Sequence, residues 1–496
     1  MYSKNAIVIG SGVAGLAAAS RLAVLGFEVT VFEANDQPGG KLTMFEKDGY
    51  RFDAGPSLFT QPANIEELFA LAKEPITEYF NYKPVDIACK YFFENEKVIN
   101  AFTDKELFAQ EMQDTTGDKR EVVMQYLQQS EKLYNNIGEI FLNFSLHKSA
   151  TWLNRRIIKA LGSLKLPYLF SNLNNYNKNQ FKSKEAVQLF NRYATYNGSD
   201  PFKAPGMLSV IPHLEYNQGV FYPGGGMISI TNALYKLALK KGVEFRFNTA
   251  VKNIIHHEGK VSGVVVNEEN IYAPVIVSNA DIYFTYKNLL NSPLKAKKVL
   301  KQERSSSALI FYWGIKRSFP EMELHNIFFS ENYAAEFDAI FNKGSFYNDP
   351  TVYVNITSKM EDGHAPEGKE NWFVMINAPA NTGQDWEQFK SKARLRIIDK
   401  LSRLLKTDIA ALIETEEILD PVMIENKTGS YMGSLYGTSS NSKLAAFFRH
   451  PNFTSYIKGL YFCGGSVHPG GGIPLCFKSA MIATTLISKD FKNTDH

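Results

Sequence analysis

The chain has 496 residues, of which 44% are hydrophobic and 21% charged, and its formal net charge is +3. This length predicts roughly two to four domain-sized units, and the composition is ordinary for a globular protein with a large core. A nearly neutral charge does not favour a nucleic-acid partner. The three cysteines lack Cys-x-x-Cys spacing, so we expect no metal site, no disulfide scaffold and a reducing cytoplasm.

The N-terminal segment predicts a strand, a helix and a second strand. Lys4–Ile9 is a β-branched run typical of a buried parallel strand. Leu16–Leu25 has the pattern of a helix, and Phe27–Phe32 predicts the second strand.

The turn between the first strand and the helix reads Gly10-Ser-Gly12-Val-Ala-Gly15. Gly10 permits a tight turn, Gly12 lets the backbone approach a pyrophosphate, and Gly15 lets the helix pack closely on the strand. The helix N-terminus offers unpaired N–H groups to the phosphates. Glu33, after the second strand, is placed to accept ribose hydroxyls and disfavours a 2′-phosphate. The pattern therefore predicts a dinucleotide-binding unit.

Further elements are predicted along the middle of the chain. Cys89–Phe102 alternates as a hairpin around Asn95-Glu96, and helical patterns dominate from Lys105 to Phe190, interrupted by an Asn-rich turn at Asn172–Asn179. Ser229–Lys241 predicts a helix. Three strand-like runs follow, at Val243–Ile255, Lys260–Asn267 and Ile271–Ser278.

Thr151–Phe170 combines apolar side chains with arginines and lysines. One interpretation is an interfacial helix whose cations meet anionic lipid head groups. The alternative is a helix with one face in the core and a solvated basic face, which the sequence alone favours. No apolar stretch approaches the roughly 20 residues that span a bilayer, so any membrane contact is expected to be peripheral.

Two further segments carry a family resemblance. After Glu33 come Gly39-Gly40-Lys41-Leu42 and then Tyr50-Arg-Phe-Asp53-Ala-Gly55-Pro56-Ser57. This arrangement resembles the flavin amine oxidase and phytoene desaturase superfamily. The resemblance implies FAD, with Gly40 and Lys41 at the flavin diphosphate and Gly55, Pro56 and Ser57 beside the flavin. Most members carry Arg at the position of Lys41, and Lys lacks the bidentate fork of a guanidinium.

The C-terminal segment Gly464–Leu475 reads GGSVHPGGGIPL. Backbone N–H groups at Gly464, Gly465, Gly472 and Ile473 are expected to meet the flavin, with Pro474 beside them at the helix N-terminus. The segment looks like bacterial carotenoid desaturases. The Gly-Gly-Ser-Val-His-Pro form is most similar to the hydroxycarotenoid 3,4-desaturase branch, because phytoene desaturases more often read Gly-Ala-Gly-Thr-His-Pro. The same resemblance implies that backbone near Val251 lies against the adenine.

The resemblance implies an α/β fold, α+β overall, with a Rossmann-like FAD-binding domain built from discontinuous segments. An inserted substrate domain of mixed sheet and helices, with a helical membrane-facing part, completes it. The expected division assigns residues 1–84, 216–290 and 455–496 to the FAD-binding domain. Residues 85–215 and 291–454 form the substrate domain.

Three residues are candidates for a chemical role. Arg192 and Asp200 lie in a polar-aromatic segment that resembles one near the substrate channel of carotenoid desaturases, and His468 lies in the C-terminal signature. Simpler interpretations remain: an Asp before Pro commonly caps its own turn, and a His before Pro can brace a loop.

The expected activity is FAD-dependent desaturation of an acyclic 1-hydroxylated carotenoid between C3 and C4. The substrate is drawn from a membrane, and oxygen or a quinone reoxidises the flavin. Phytoene desaturation and carotenoid isomerisation by the same superfamily are the near alternatives. An amine oxidase and a non-catalytic flavin- or carotenoid-binding protein are more distant ones.

Overall fold

The computed structural model describes residues 4–152, 168, 171–299, 301–442 and 449–492. The strands are β1 (Asn5–Ile9), β2 (Glu28–Phe32), β3 (Thr43–Lys47), β4 (Tyr50–Ala54), β5 (Tyr82–Pro84), β6 (Ile87–Phe92), β7 (Val98–Phe102), β8 (Phe221–Pro223), β9 (Glu244–Arg246), β10 (Val251–His257), β11 (Lys260–Val266), β12 (Glu269–Tyr272), β13 (Val275–Ser278), β14 (Ser307–Ile315), β15 (His325–Phe328), β16 (Val352–Asn355), β17 (Glu370–Ala378), β18 (Ile413–Leu419) and β19 (Leu460–Phe462).

The α-helices in the described ranges are α1 (Val13–Val24), α2 (Ala63–Ala72), α3 (Lys105–Thr116), α4 (Arg120–Leu133), α5 (Glu139–Asn143), α6 (Ser149–Trp152), α7 (Leu173–Lys178), α8 (Lys184–Asn191), α9 (Pro212–Tyr216), α10 (Ile228–Lys240), α11 (Ile282–Phe284), α12 (Pro293–Val299), α13 (Tyr333–Phe341), α14 (Trp386–Leu404), α15 (Pro421–Thr428) and α16 (Ile473–Lys492).

A five-stranded parallel sheet has the strand order β19-β13-β1-β2-β9. Both faces of the sheet are buried, and its strands are accordingly rich in β-branched residues. In the register of the sheet, Val8 pairs with Val31 of β2 and with Val277 of β13. Helices α1, α10 and α16 pack on one face. The antiparallel sheet β10-β11-β12 covers the other face. The two ends of the chain therefore meet in one Rossmann-like unit.

A seven-stranded mixed sheet forms the second part, with the order β18-β14-β17-β16-β15-β6-β7. The long helix α14 covers one face, where Trp313 and Trp372 are fully buried. Burying each such side chain contributes about 1.5–3 kcal/mol. Helices α3, α4 and α8 pack on the opposite face at the β6–β7 end.

The hairpin of β3 and β4 joins the two parts. Its Tyr50 and Phe52 pack against Tyr312 and Phe373 of the seven-stranded sheet. Nearby, β5 pairs with β8, so the chain leaves and re-enters the nucleotide-binding part at neighbouring points. The domain boundaries themselves stay a prediction.

The structure confirms the predicted mixed α/β architecture and most of the predicted elements, including the hairpin of β6 and β7. It differs at Asn172–Asn179, which is a capped helix rather than a turn: the side-chain oxygen of Asn172 accepts the N–H of Asn175 and caps the N-terminus of α7. Two of the predicted strand runs are each divided. Val243–Ile255 splits into β9 and β10, and Pro274 separates β12 from β13 because proline cannot donate to a strand ladder.

Within the described ranges, no helix is both long and apolar enough to cross a bilayer. Most of the basic-apolar stretch Thr151–Phe170 lies outside the described residues. Of its described members, Trp152 ends α6 with its side chain 42% exposed.

Candidate functional site

The turn between β1 and α1 has the geometry of a phosphate-binding turn. Gly10 has a φ of +91°, and its N–H bonds to the carbonyl of Phe32 at 2.8 Å. A Cβ on Gly15 would stand 2.1 Å from the Gly10 carbonyl oxygen, so only glycine lets α1 pack this closely on the turn. Gly12 precedes the first residue of α1, where helix N–H groups are unpaired.

Glu33 lies directly after β2, beside this turn, and is buried. One carboxylate oxygen accepts the N–H and the hydroxyl of Ser11, both at 2.7 Å, and the other accepts two donors from Asn35. Both oxygens are thus fully used within the protein. A ribose hydroxyl would have to displace one of these donors, and the exposed Asn35 side chain is the one free to move.

Val251 begins β10 on the same side of the parallel sheet as Glu33. The turn before it is fixed to the segment after β2, because Thr249 N–H bonds to the Glu33 carbonyl and Asn248 N–H bonds to the Asn35 carbonyl. This places the backbone leading to Val251 next to the acidic residue, on the side where the nucleotide's ribose and adenine are expected.

Two loops pack in sequence from the phosphate-binding turn toward the seven-stranded sheet. A Cβ on Gly40 would stand 3.3 Å from the Cα of Gly12, and a Cβ on Gly55 would stand only 1.8 Å from the Lys41 carbonyl oxygen. Pro56 and Ser57, which follow, are exposed and partly exposed respectively. The segments predicted to contact FAD are therefore continuous in space.

Lys41 is half-buried, and its ammonium lies where several chain segments meet. Its ammonium donates to the carbonyls of Leu435 at 2.8 Å and Ser434 at 3.3 Å. Burial lowers the pKa of Lys41 to about 8, although nearby Asp281 opposes that shift. Arg304 pairs with Asp281 at 3.2 Å and leaves its Nε and Nη1 without a partner among the described residues.

Arg449 adds a third buried cation to this region. It donates to the Tyr436 carbonyl at 2.8 Å, and its pKa is lowered to about 10 by burial and by the charge of Arg304. Asp281 interacts with Lys41 and pairs with Arg304, whereas the recorded charged neighbour of Arg449 is another cation, Arg304. Buried positive charge in excess of its counterions is costly unless an anion joins it. The site therefore fits a cofactor that carries phosphates, such as FAD.

The C-terminal glycines close the site from the other side. Gly464 and Gly465 follow β19, and Gly472 directly precedes Ile473 and Pro474, the first residues of α16. Gly472 has a φ of +111°, and a Cβ there would meet nothing within 4 Å, so the backbone borders open space. This leaves the helix N-terminus accessible to a ligand.

Sequence reasoning missed Asn279, which follows β13. Its side chain lies within 4 Å of the Cβ positions of Gly10, Gly12, Gly15 and Gly464, and its amide donates to the Cys463 carbonyl at 3.1 Å. It therefore joins the N-terminal and C-terminal glycine turns. Its position at the carboxyl end of a parallel strand is the signal that points to a ligand site.

Arg192 directly follows α8, one of the helices that pack on the seven-stranded sheet. Its Nη2 contacts both carboxylate oxygens of Glu215, at 2.9 and 3.0 Å, and Tyr193 donates to the same carboxylate at 2.5 Å. The guanidinium also lies over the rings of Tyr91, Tyr193 and Tyr196. These contacts occupy its charge within the protein.

Asp200 is buried, and burial raises the pKa of its carboxyl group. One oxygen accepts the N–H of Phe202 at 2.8 Å, which is the turn-capping contact typical of Asp. The Asp200 N–H in turn bonds to Asn441 at 2.7 Å. The side chain holds a turn of the substrate part.

His468 is fully buried, and burial lowers its pKa to about 4, so the ring is neutral. Its Nε2 bonds to the Phe144 carbonyl at 2.9 Å, and its own carbonyl accepts from Asn452 and Ser479. The ring therefore links the C-terminal glycine loop to the segment after α5. These contacts are those of a residue that holds its loop in place.

These features are those of a flavin-dependent oxidoreductase. Glycine turns from both chain ends meet in a Rossmann-like unit, a cationic region lies beside them, and the seven-stranded sheet adjoins the site. Among the described residues, no cluster of His, Cys, Asp or Glu has the makings of a metal site.

The chain belongs to the family of flavin-containing amine oxidoreductases, whose model matches residues 13–488. The predictions of FAD as cofactor and of an oxidoreductase are thereby confirmed. A 1-hydroxycarotenoid 3,4-desaturase of Flavobacterium sp. (strain P99-3) is 52% identical over 98% of this chain and 99% of its own length. A 4,4′-diapolycopene oxygenase of Methylomonas sp is 32% identical over 99% of both chains. A phytoene desaturase of Fusarium fujikuroi is 32% identical over 99% of this chain and 90% of its own.

Solved structures confirm the fold. An oxidoreductase from Methanosarcina mazei superposes with a TM-score of 0.65 at 14% identity, covering 97% of this chain and 100% of that one. A putrescine oxidase gives a TM-score of 0.61 at 13% identity, covering 98% of this chain and 99% of that one.

Proposed function

We propose that the protein is an FAD-dependent carotenoid 3,4-desaturase that acts on an acyclic 1-hydroxylated carotenoid. The observation that carries the proposal is the 52% identity to a 1-hydroxycarotenoid 3,4-desaturase over nearly the whole of both chains. The C-terminal segment Gly464–Leu475 supports the same branch by its sequence.

The reaction removes two hydrogens from the C3–C4 bond. When bound, FAD supplies the two-electron acceptor that takes one hydrogen as hydride, and the second leaves the neighbouring carbon as a proton. Gly10, Gly12 and the cations Lys41, Arg304 and Arg449 would hold the cofactor, and the apolar substrate would lie between it and the seven-stranded sheet. Oxygen or a membrane quinone then accepts the electrons.

The test is anaerobic mixing of flavin-loaded protein with carotenoids in liposomes, followed by absorbance and product chromatography. We expect a 1-hydroxylated acyclic carotenoid to bleach the flavin and to yield a product with one more double bond. Bleaching by phytoene alone would assign the protein to phytoene desaturation instead. Reduction by an amine but by no carotenoid would refute the substrate class.

We propose further that the protein works at the cytoplasmic face of the membrane, since its substrate dissolves in lipid. Phe144 and Trp152 support this, because they are 41% and 42% exposed; Phe144 precedes the basic-apolar stretch and Trp152 lies at its start. We expect the protein to co-sediment with anionic vesicles, and we expect the Trp152→Ser variant to bind them less than the wild type. Equal recovery of the protein with and without vesicles would contradict membrane contact.

Three residue roles remain proposals. Asp200 is proposed as an acid–base residue, Arg192 as a cation near the polyene, and His468 as a direct participant in the reaction. Asp200→Asn separates the two roles of that residue, because the amide oxygen still accepts the Phe202 N–H but cannot exchange a proton. Retained turnover would leave Asp200 as a turn residue, whereas a loss of about 100-fold or more is what an acid–base role predicts.

A further inference from the structure

Ser57, Tyr353 and His325 form a hydrogen-bonded chain that crosses from the FAD-binding part to the seven-stranded sheet. The Ser57 hydroxyl lies 2.8 Å from the Tyr353 hydroxyl, which lies 2.8 Å from Nδ1 of His325. Ser57 belongs to the loop after β4, whereas Tyr353 and His325 lie on the adjacent strands β16 and β15. We call these three residues the Ser57 chain.

The direction of the hydrogen bonds follows from Asn355. Its amide nitrogen donates to the Leu324 carbonyl at 3.0 Å and lies 3.1 Å from Nδ1 of His325. We therefore place the ring proton on Nε2, which has no partner among the described residues, so that Nδ1 accepts and its one lone pair is shared by the Tyr353 hydroxyl and the Asn355 amide. Burial, helped by the charge of Arg192, lowers the pKa of His325 to about 3, so the ring is neutral and able to accept.

The rest of the chain is then fixed. Tyr353 donates its proton to His325, so its oxygen is left to accept, and Ser57 donates to that oxygen. The Ser57 oxygen retains its lone pairs. The chain ends in a hydroxyl acceptor at Ser57, whose side chain is partly exposed.

This acceptor lies in an apolar setting beside the site for the cofactor. Tyr353 pairs in register with Met375, and both are partly exposed although their strands are internal to the sheet, so they border open space. Gly55, two residues before Ser57, packs on Lys41 of the cofactor site. The end of the Ser57 chain therefore stands where the cofactor site meets the apolar face of the sheet.

We propose that the Ser57 chain binds the C1 hydroxyl of the substrate, with Ser57 in contact and Tyr353 and His325 as positioning residues. The inference rests on the proposed function. In the substrate, C4 is three carbon–carbon bonds of about 1.5 Å from C1, so a group that holds the C1 hydroxyl must lie beside the reacting bond. A carotenoid without that hydroxyl leaves the acceptor lone pairs of Ser57 without a donor in an apolar setting, and a site built to bond a hydroxyl rejects such an analogue.

The test compares two acyclic carotenoids of equal length, one with and one without the C1 hydroxyl, in the full-length, flavin-loaded enzyme. The variants are Ser57→Ala and Tyr353→Phe. Tyr312→Phe is the matched control, because its hydroxyl lies on the same face of the sheet and has no partner among the described residues. For each protein, kcat/KM is measured, and binding to enzyme reduced beforehand with dithionite is followed by carotenoid absorbance. Flavin content and melting temperature verify folding.

We expect the wild type and Tyr312→Phe to prefer the hydroxylated substrate, and either test variant to lower that preference about 10-fold or more. The same loss should appear in binding to the reduced enzyme. A wild-type preference in both variants would overturn the role of the Ser57 chain while leaving the desaturase function intact. If the wild type oxidises neither carotenoid, the proposed function itself fails, and the unbleached flavin identifies that case.

Discussion

At the scale of single residues, the site depends on glycines at positions where a side chain would not fit. Gly55 carries no Cβ because the Lys41 carbonyl oxygen occupies the place, only 1.8 Å from where the atom would stand. The obstacle is backbone, so it cannot rotate away as a side chain would. The spacing between the two loops is therefore fixed by glycine.

Gly55→Ala is expected to push these loops apart. We predict a loss of about 1–3 kcal/mol in stability from overpacking, together with reduced FAD content after purification. Gly363→Ala is the control, since a Cβ there meets nothing within 4 Å and the change adds only strain at a φ of +84°. Flavin absorbance per protein measures the outcome, and full FAD occupancy in Gly55→Ala would contradict the prediction.

Lys41 makes FAD binding depend on pH. In the free protein its pKa is lowered to about 8 by burial, and an arriving diphosphate favours the charged form. Binding therefore takes up a proton above pH 8, and the dissociation constant should rise as the pH increases through that value.

Lys41→Arg provides the comparison, because a guanidinium stays charged throughout this range. Titration of apoprotein with FAD between pH 7 and 9.5, followed by flavin fluorescence, should show steeper weakening for the wild type. Parallel pH profiles in the two proteins would mean that Lys41 does not face the diphosphate.

At the scale of elements, the Arg192–Glu215 pair connects the end of α8 to α9. Both side chains are buried, and Tyr193 completes the coordination of the carboxylate. A buried pair of this kind adds little net stability compared with apolar residues, but breaking it leaves one charge uncompensated. The pair therefore holds these helices in one arrangement beneath β6 and β15.

Arg192→Met is expected to lower stability by about 3–5 kcal/mol, because Glu215 then stays buried without its partner. Arg192→Met combined with Glu215→Leu should recover much of that loss, since no charge is left unpaired. Urea midpoints measure both, with the exposed Arg246→Met as the control. Equal midpoints for the single and double variants would show that the ion pair does not govern this contact.

At the scale of the whole molecule, the FAD-binding part is assembled from both chain ends and a central segment. Strand β19 and helix α16 come from the C-terminus, yet they complete the sheet and core begun by β1 and α1. Asn279 ties the same segments together at the glycine turns. A ligand bound there contacts all three segments at once.

FAD is therefore expected to stabilise the entire fold. At a free concentration 100 times the dissociation constant, binding adds about 2.7 kcal/mol by mass action. Melting temperature should rise with added FAD and fall after flavin is stripped with potassium bromide. Asn279→Leu should reduce the gain, while Asn270→Leu on the exposed β12 should not. A melting temperature independent of FAD would contradict this coupling.

The sequence by itself determined the local units. The spacing of Gly10, Gly12 and Gly15 between a β-branched strand and a helix is a short-range pattern, so the dinucleotide turn could be recognised without coordinates. The hairpin of β6 and β7 and the helices of the substrate part follow from periodicity in the same way. The family resemblance added FAD, which the family match confirms, and the division of the chain into two domains, which stays a prediction.

Only the tertiary structure decided which distant residues meet. Some contacts of the site leave no periodic trace in the sequence. Ser57 bonds to Tyr353, 296 positions away, and Lys41 bonds to Leu435, 394 positions away. The division of Val243–Ile255 between two sheets was also beyond local pattern, because both halves have the composition of a strand and only their partners differ. Local hydrogen bonding and periodicity depend on residues close together in the sequence. The burial and the partners of a polar side chain depend instead on the packing of the whole chain.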